Sequence, residues 1–381
     1  MAEPNSGRRG SLKLYLGYAA GVGKTFQMLA DGHAAHERGA DVAIGYFEPH
    51  ARPDTIAQAE TLGHVPRRKV EYRGRAFEDM DTQAILERHP EIVLVDELAH
   101  TNVPGSERNK RWEDVQALLD AGIEVWATMN VQHIESLNDQ VWQITGIRVR
   151  ETVPDWIIKQ AGEIVAIDVT PEALLNRLKR GAVYGPQMAQ KALEGFFRES
   201  NLGALREMTL RQAAHEVDAR QAAYDETTAP PDTIPNIGNE KVPELARERI
   251  LVHVTADPSA AMLIRRGRRV ADYLQGECVV VYVHRTPVFA DVPTDERAKV
   301  EKHLAFARNL RIQTEVIQGR DISETVVEFA HRHQVTQIFV ARSHRHLWDG
   351  LRRGNYVEEI VRLAHDFQVT VVADRSRRQV S

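Results

Sequence analysis

Gly17-Tyr18-Ala19-Ala20-Gly21-Val22-Gly23-Lys24-Thr25 lies between the apolar run at 12–16 and an amphipathic stretch that begins at Phe26. Strand, glycine-rich turn, Gly-Lys-Thr and helix, in that order, form the setting of a phosphate-binding loop. Glycines let the backbone bend so that successive N–H groups face inward, and the new helix adds its positive N-terminal end. In such a loop Lys24 reaches the β- and γ-phosphates of a nucleotide and the Thr25 hydroxyl is a ligand of Mg²⁺. The spacing departs from the usual pattern, because five residues separate Gly17 from Gly23 and Tyr18 stands at the expected first glycine. Gly21 is expected to take over part of the turn. Gly17, Gly21, Val22, Gly23, Lys24 and Thr25 are therefore the candidate ATP-binding residues of the loop. A strand-to-helix turn without a nucleotide would need several coincidences of residue type and place.

Downstream, Glu91-Ile92-Val93-Leu94-Val95-Asp96-Glu97 reads as a buried strand ending in two acids. In a phosphate-loop enzyme an Asp at this place holds Mg²⁺, which makes Thr25 and Asp96 the candidate metal pair. Glu97 is the candidate catalytic residue, polarising a water for attack on the γ-phosphate. Its plain alternative is a solvated or helix-capping carboxylate. In the polar loop that follows, His100 and Asn102 are candidates to read the phosphate state, as switch residues do. The strand expected at 124–129 also ends in polar groups, and there Asn130 and Gln132 are candidates to sense phosphate or place water. Glu48-Pro49-His50 closes another strand, and His50 reads as a member of a polar loop cluster.

The remaining sequence sets bounds. A chain of 381 residues has room for two domains with cores of their own. A net charge of -5 argues against a dedicated nucleic-acid binder. Cys278 is the single cysteine, so no intramolecular disulfide forms, and its apolar setting reads as core. The first ten residues have no apolar centre and no run approaches a membrane span, so the expectation is a cytoplasmic protein. The pairs His331/His333 and His344/His346 are spaced i, i+2 and share no helix face, so neither reads as a metal site. The run at 365–370 superficially resembles a phosphoacceptor histidine but lacks the accompanying basic residue and proline, so autophosphorylation is not expected.

Strands at 12–16, 42–47, 92–95, 124–129 and 163–168 are spaced for helical crossovers and a parallel sheet. Residues 1–225 thus read as an α/β domain with a doubly wound parallel sheet of the P-loop NTPase type. A helical region from 171 to about 225 closes it, interrupted near 181–186. Residues 226–246 read as a linker, with three prolines in 226–239. From 247 to 381 a second pattern gives strands at 249–254, 278–283, 314–317, 337–340 and 370–372, a five-stranded Rossmann-like domain.

Longer strings carry a resemblance. The glycine loop, Val95-Asp96-Glu97-Leu98-Ala99-His100-Thr101-Asn102-Val103-Pro104-Gly105-Ser106, Lys110-Arg111-Trp112-Glu113-Asp114 and the run from Asn130 to Asp139 resemble the cytoplasmic N-terminal region of the KdpD family of sensor histidine kinases. Tyr72-Arg73-Gly74-Arg75 and the run at 149–155 extend the match over about residues 10–225. The five-residue glycine spacing is also this family's habit. The resemblance implies an ATP-binding regulatory module, with Mg²⁺, in two-component signalling for potassium homeostasis and osmotic response.

Residues 247–381 look like the universal-stress-protein domain that follows in the same family. Its usual acid after the first strand is replaced by Thr255, and its glycine-rich turn by Ala341-Arg342-Ser343-His344, with Gly354-Asn355 resembling the later Gly-Ser. ATP is therefore not expected in this second site. Arg342, His344, Arg345, His346, Arg352 and Arg353 form a basic cluster for an anionic ligand or an acidic partner, or simply a solvated face. Some members bind cyclic di-AMP in this domain, but no clear ligand motif is present.

Family members continue into four membrane helices, a further sensory domain and the kinase module, which this sequence does not match. The expectation is a short form without a histidine-kinase core, whether natural or part of a longer protein. Its partners would be the membrane-bound sensor kinase portion or its response regulator, and it would be peripheral to the inner membrane only through such a partner. Oligomerisation stays open. Hydrolysis is expected to be slow, Arg108 and Arg111 being the nearest arginine-finger candidates. The alternative function is a P-loop phosphotransferase or slow ATPase acting on a small molecule, with an acceptor pocket built from loops 48–50 and 100–106. A pure binding scaffold with a relic loop would bind no nucleotide.

Overall fold

The computed structural model describes residues 8–49, 53–181, 183–184, 192–193, 195–228, 248–341 and 356–372. The chain divides into two compact units, Met1–Thr227 and Thr228–Ser381. His50, most of the expected linker, the basic cluster at 342–353 and Gly354-Asn355 lie outside the described residues.

In the first unit the strands are β1 (Leu12–Gly17), β2 (Val42–Tyr46), β3 (Gly63–His64), the pair β4 (Arg68–Tyr72) and β5 (Arg75–Asp79), then β6 (Ile92–Val95), β7 (Glu124–Asn130) and β8 (Glu163–Ile167). Six of them form a parallel sheet in the order β3-β2-β6-β7-β1-β8. Its strands are near-continuous apolar runs because both faces are covered. Leu12, Leu14 and Leu16 face one core, while Tyr15 faces the other beside Met28 and Leu29. Each such side chain, once fully buried, contributes roughly 1.5–3 kcal/mol of transfer free energy.

The helices are α1 (Lys24–Glu37), α2 (Pro53–Ala59), α3 (Thr82–Arg88), α4 (Arg111–Asp120), α5 (Asn138–Thr145), α6 (Asp155–Lys159), α7 (Pro171–Lys179) and α8 (Glu199–Thr228). Their starts follow local chemistry. The Asp81 carboxylate accepts the Ala84 N–H at 3.0 Å to cap α3, and Thr170 accepts the Ala173 N–H at 3.2 Å ahead of Pro171 in α7.

Two features position the site. First, β7 lies between β1 and β6, so the strand ending at Asp96 is not the neighbour of the strand that feeds the glycine loop. The C-terminal end of β7 therefore stands between Lys24 and Asp96. Second, β4 and β5 form an antiparallel hairpin separate from the main sheet, a pair not expected from the sequence. Arg73 (φ 51°) and Gly74 (φ 73°) make its two-residue turn, both in the left-handed region that a tight hairpin demands.

The second unit has β9 (Arg249–His253), α9 (Ala260–Tyr273), β10 (Glu277–His284), α10 (Thr294–Asn309), β11 (Gln313–Gln318), α11 (Ile322–Arg332), β12 (Gln337–Ala341), α12 (Tyr356–Leu363) and β13 (Gln368–Val372). Its parallel sheet runs β11-β10-β9-β12-β13, the strand order of a Rossmann-type half with its reversal between β9 and β12. Ile250, Val252 and Val280 face one core and Leu251, Val279 and Val281 the other. Cys278 sits on β10, and burial pushes its thiol up to about 12. Among the described residues, no helix is long and apolar enough to cross a membrane.

Candidate functional site

Gly17 ends β1, and a side chain there would meet Val22 Cγ2 at 2.6 Å and Lys24 Cδ at 2.9 Å. Its lack of a side chain lets the loop fold back over the strand. Gly21 (φ 87°) and Gly23 (φ 109°) adopt left-handed backbone that L side chains avoid. Val22 is buried in the core rather than in the site. Tyr18, at the place of the usual first glycine, is fully buried and its hydroxyl donates to the Val169 carbonyl at 2.9 Å. The additional residue is thus absorbed by anchoring the loop to the segment after β8. From α7, Arg177 donates to the Gly21 and Val22 carbonyls at 3.3 and 3.4 Å. Gly21→Ala is expected to cost about 1–3 kcal/mol of stability. The new methyl would lie 2.4 Å from Val183 Cγ2, and an unchanged urea midpoint would refute this account of the loop.

Lys24 opens α1, where the first-turn amides have no intrahelical acceptor. Its ammonium donates to the Ala19 carbonyl at 3.1 Å and to Asn130 Oδ1 at 2.5 Å. The Thr25 hydroxyl donates to Asp96 Oδ1 at 3.0 Å, and the Thr128 hydroxyl donates to the same oxygen at 2.5 Å. Asp96 Oδ2 accepts the Glu48 N–H at 3.4 Å. Burial pushes the Asp96 carboxyl above the usual carboxylate range. The Thr128 bond opposes that rise, the Glu97 charge adds to it, and Thr25 and Lys24 oppose it. Lys24, Thr25, Asp96, Glu97 and Asn130 all line one cavity of about 130 Å³ at the carboxyl edge of the sheet. Ligands bind at that edge in open α/β sheets.

Glu97 has φ 54°, an uncommon conformation for a residue with a side chain. It is held there from several sides. Its N–H donates to Thr128 Oγ1 at 3.1 Å, and its carbonyl accepts from the His100 N–H at 2.9 Å and from Arg111 Nη1 at 3.4 Å. Strain of this kind concentrates where function requires it.

The structure sorts the other sequence candidates. His100 lines the cavity and stacks on Tyr46, with ring centroids 6.3 Å apart. His133, unremarked as a site residue in the sequence, lines it too, its Nδ1 bonded to the Glu151 carbonyl at 2.7 Å. Burial lowers both imidazoles, with the Arg111 charge adding to the effect at His100. Burial thus favours the neutral imidazole at both, a form that offers hydrogen bonds rather than charge. Asn102 is not brought to the cavity: it is buried and donates to Asp114 Oδ2 at 2.5 Å and to the Arg108 carbonyl at 3.1 Å. Gln132 does not line the cavity either.

Neither of the two nearest arginine-finger candidates lines the cavity. Arg108 lies beside Glu107 and Asp114, at 3.0 and 3.5 Å. Arg111 is fully buried against Asp79, 3.0 Å away. Thr128 and Asp79 were missed by sequence reasoning, which read Arg111 only as an arginine-finger candidate. Thr128 lies mid-strand in an apolar run, and the Arg–Asp pair joins residues 32 positions apart.

The family model described as the KdpD osmosensitive K⁺ channel His kinase sensor domain matches residues 8–217. A sensor protein KdpD of Mycobacterium tuberculosis is 42% identical over 350 residues, covering 91% of this chain and 39% of the relative. A KdpD sensor protein of Synechocystis is 39% identical over 372 residues, covering 96% of this chain and 95% of the relative. This chain thus spans about two fifths of the Mycobacterium relative's length and nearly all of the Synechocystis relative's. Among solved structures, the universal stress protein UspA from Lactobacillus plantarum is 21% identical with a TM-score of 0.26, covering 33% of this chain and 99% of that one. The chain belongs to the KdpD family.

Proposed function

We propose that this KdpD-family chain binds Mg-ATP at the glycine loop and works as a regulatory sensor module in two-component signalling for potassium homeostasis. One observation carries the reading. A lysine, a hydroxyl and a buried carboxylate converge on one cavity behind a left-handed glycine turn, where a phosphate chain needs them. The Thr25 hydroxyl and Asp96 carboxylate, 3.0 Å apart, are two oxygen donors suited to Mg²⁺. That ion takes few protein ligands and completes its shell with phosphate oxygens and water. Bound Mg²⁺ would neutralise charge between the β- and γ-phosphates.

Phosphate oxygens would compete with Asn130 for the Lys24 ammonium. Release of Asn130 at the end of β7 would pass occupancy to the segment that follows it, and the Asp96–His100 loop would report the γ-phosphate. These loops would then bias a partner, the membrane-bound kinase portion or its response regulator. No arginine is among the described lining residues of the cavity, so hydrolysis would be slow.

Calorimetric titration of the full chain with Mg-ATP tests the reading, with cyclic di-AMP as a second titrant for the second unit. Saturable binding of Mg-ATP supports it, and a chain that takes up no nucleotide sinks it. Asp96→Asn is expected to raise the thermal midpoint of the nucleotide-free chain, because it removes a carboxylate that burial disfavours. The same change should remove most of the gain in ATP affinity that Mg²⁺ provides. A lowered midpoint in the nucleotide-free variant would contradict this account of Asp96.

A further inference from the structure

Arg111 is fully buried at the first position of α4, where the positive end of the helix dipole repels a cation. Desolvating a guanidinium is costly, and its surroundings show what balances that cost. Nη2 donates to Asp79 Oδ1 at 3.0 Å. Nη1 donates to the Asp96 carbonyl at 3.0 Å and the Glu97 carbonyl at 3.4 Å. The guanidinium carbon lies 3.6 Å from the centroid of the Tyr46 ring. The Arg111 N–H donates in turn to the His100 carbonyl at 3.1 Å. One residue therefore fastens the segment from Asp96 to His100 through both its side chain and its main chain.

We propose that Arg111 is a positioning residue for the metal-binding and water-facing acids, holding Asp96 and Glu97 by their carbonyls so that both carboxylates stay in the cavity. The inference rests on the Mg-ATP reading of the site. The geometry gives Arg111 a role that the nearby lysines cannot take over. Only a planar fork serves a carboxylate on one arm and two consecutive carbonyls on the other. Asp79 orients the fork, Tyr46 supports its face, and Thr128 secures the same two residues from the opposite side through the Asp96 carboxylate and the Glu97 N–H. With the loop so held, Glu97 keeps its left-handed backbone and lines the cavity beside Asp96.

The test compares ATP affinity in excess Mg²⁺ with ATP affinity in chelator, for this chain and two variants. Arg111→Lys keeps the charge and loses the fork. The double variant Asp79→Asn/Arg111→Gln keeps the site neutral and should fold even if the lysine variant does not. Outer partners of a metal site typically change its metal affinity by about 10–100-fold. Both variants are therefore expected to bind ATP in chelator within about threefold of wild type, while the Mg²⁺-dependent gain falls about tenfold or more. A merely structural role would lower the thermal midpoint and leave that gain unchanged, which would overturn the proposal while the Mg-ATP reading stood. A wild-type chain that binds ATP equally with and without Mg²⁺ would also overturn it. A wild-type chain that binds no ATP in either condition would instead remove the reading on which the proposal rests.

Discussion

Lys24→Ala is expected to weaken Mg-ATP binding by about 100-fold or more while the chain stays folded. A hydrogen bond from a charged donor contributes about 1.5–3 kcal/mol. Two phosphates served by one ammonium therefore amount to roughly two factors of ten in affinity. The cost to the fold is small by comparison. Truncation leaves the Ala19 carbonyl and Asn130 Oδ1 without this donor, but Lys24 and Asn130 line the cavity, where water can replace the ammonium. Titration together with a urea melt separates the two effects. Affinity unchanged in a folded variant would refute the Mg-ATP reading, whatever the fate of Arg111.

Asp79→Ala is expected to be the most destabilising single change at the site, by about 3–5 kcal/mol. Asp79 ends β5, paired with Arg68 of β4, and is almost fully buried. Its removal would leave the Arg111 guanidinium buried without its carboxylate. Burial alone would raise the Asp79 carboxyl. The Met80 N–H, the Arg111 charge and hydrogen bond and the Val103 N–H outweigh it and hold the group below the ordinary carboxylate value. The sign of the pH dependence follows. A depressed acid contributes stability that is complete above its unfolded value of about 3.9 and is lost as pH falls through the folded value. The gap between wild type and Asp79→Ala should therefore be widest near neutrality and narrow on acidification below about pH 4. Urea midpoints of both proteins across that range check it, and a gap that is flat or widens in acid refutes the pairing. The comparison has to be a difference, because burial raises Asp96 and Asp114 and their contributions run the other way.

Much of this molecule is legible before folding is considered, for reasons that are local. Apolar runs such as Ile92-Val93-Leu94-Val95 announce buried parallel strands, since only a strand covered on both faces lacks polar alternation. Gly21, Gly23, Lys24 and Thr25 stand out as a candidate phosphate loop because backbone freedom, charge and hydroxyl sit within a few consecutive residues. The β4–β5 hairpin was hidden because Arg68-Lys69-Val70-Glu71-Tyr72 has too many charges to stand out as a strand. Asn102 looked like a switch residue because its loop is polar, yet its amide serves Asp114 and the Arg108 carbonyl.

By itself, the sequence determined the α/β class and the family resemblance, both properties carried by neighbours along the chain. Tertiary structure alone decided that β7 enters between β1 and β6, which sets Asn130 against Lys24 and Thr128 against Asp96. It also turned Arg111 from an arginine-finger candidate into a buried fork joined to Asp79. Strand order and charge burial arise from pairing between distant segments, and neither leaves a periodic trace in the order of residues. The glycine loop marks where phosphate would be held, and the packing around it shows which side chains hold the acids in place.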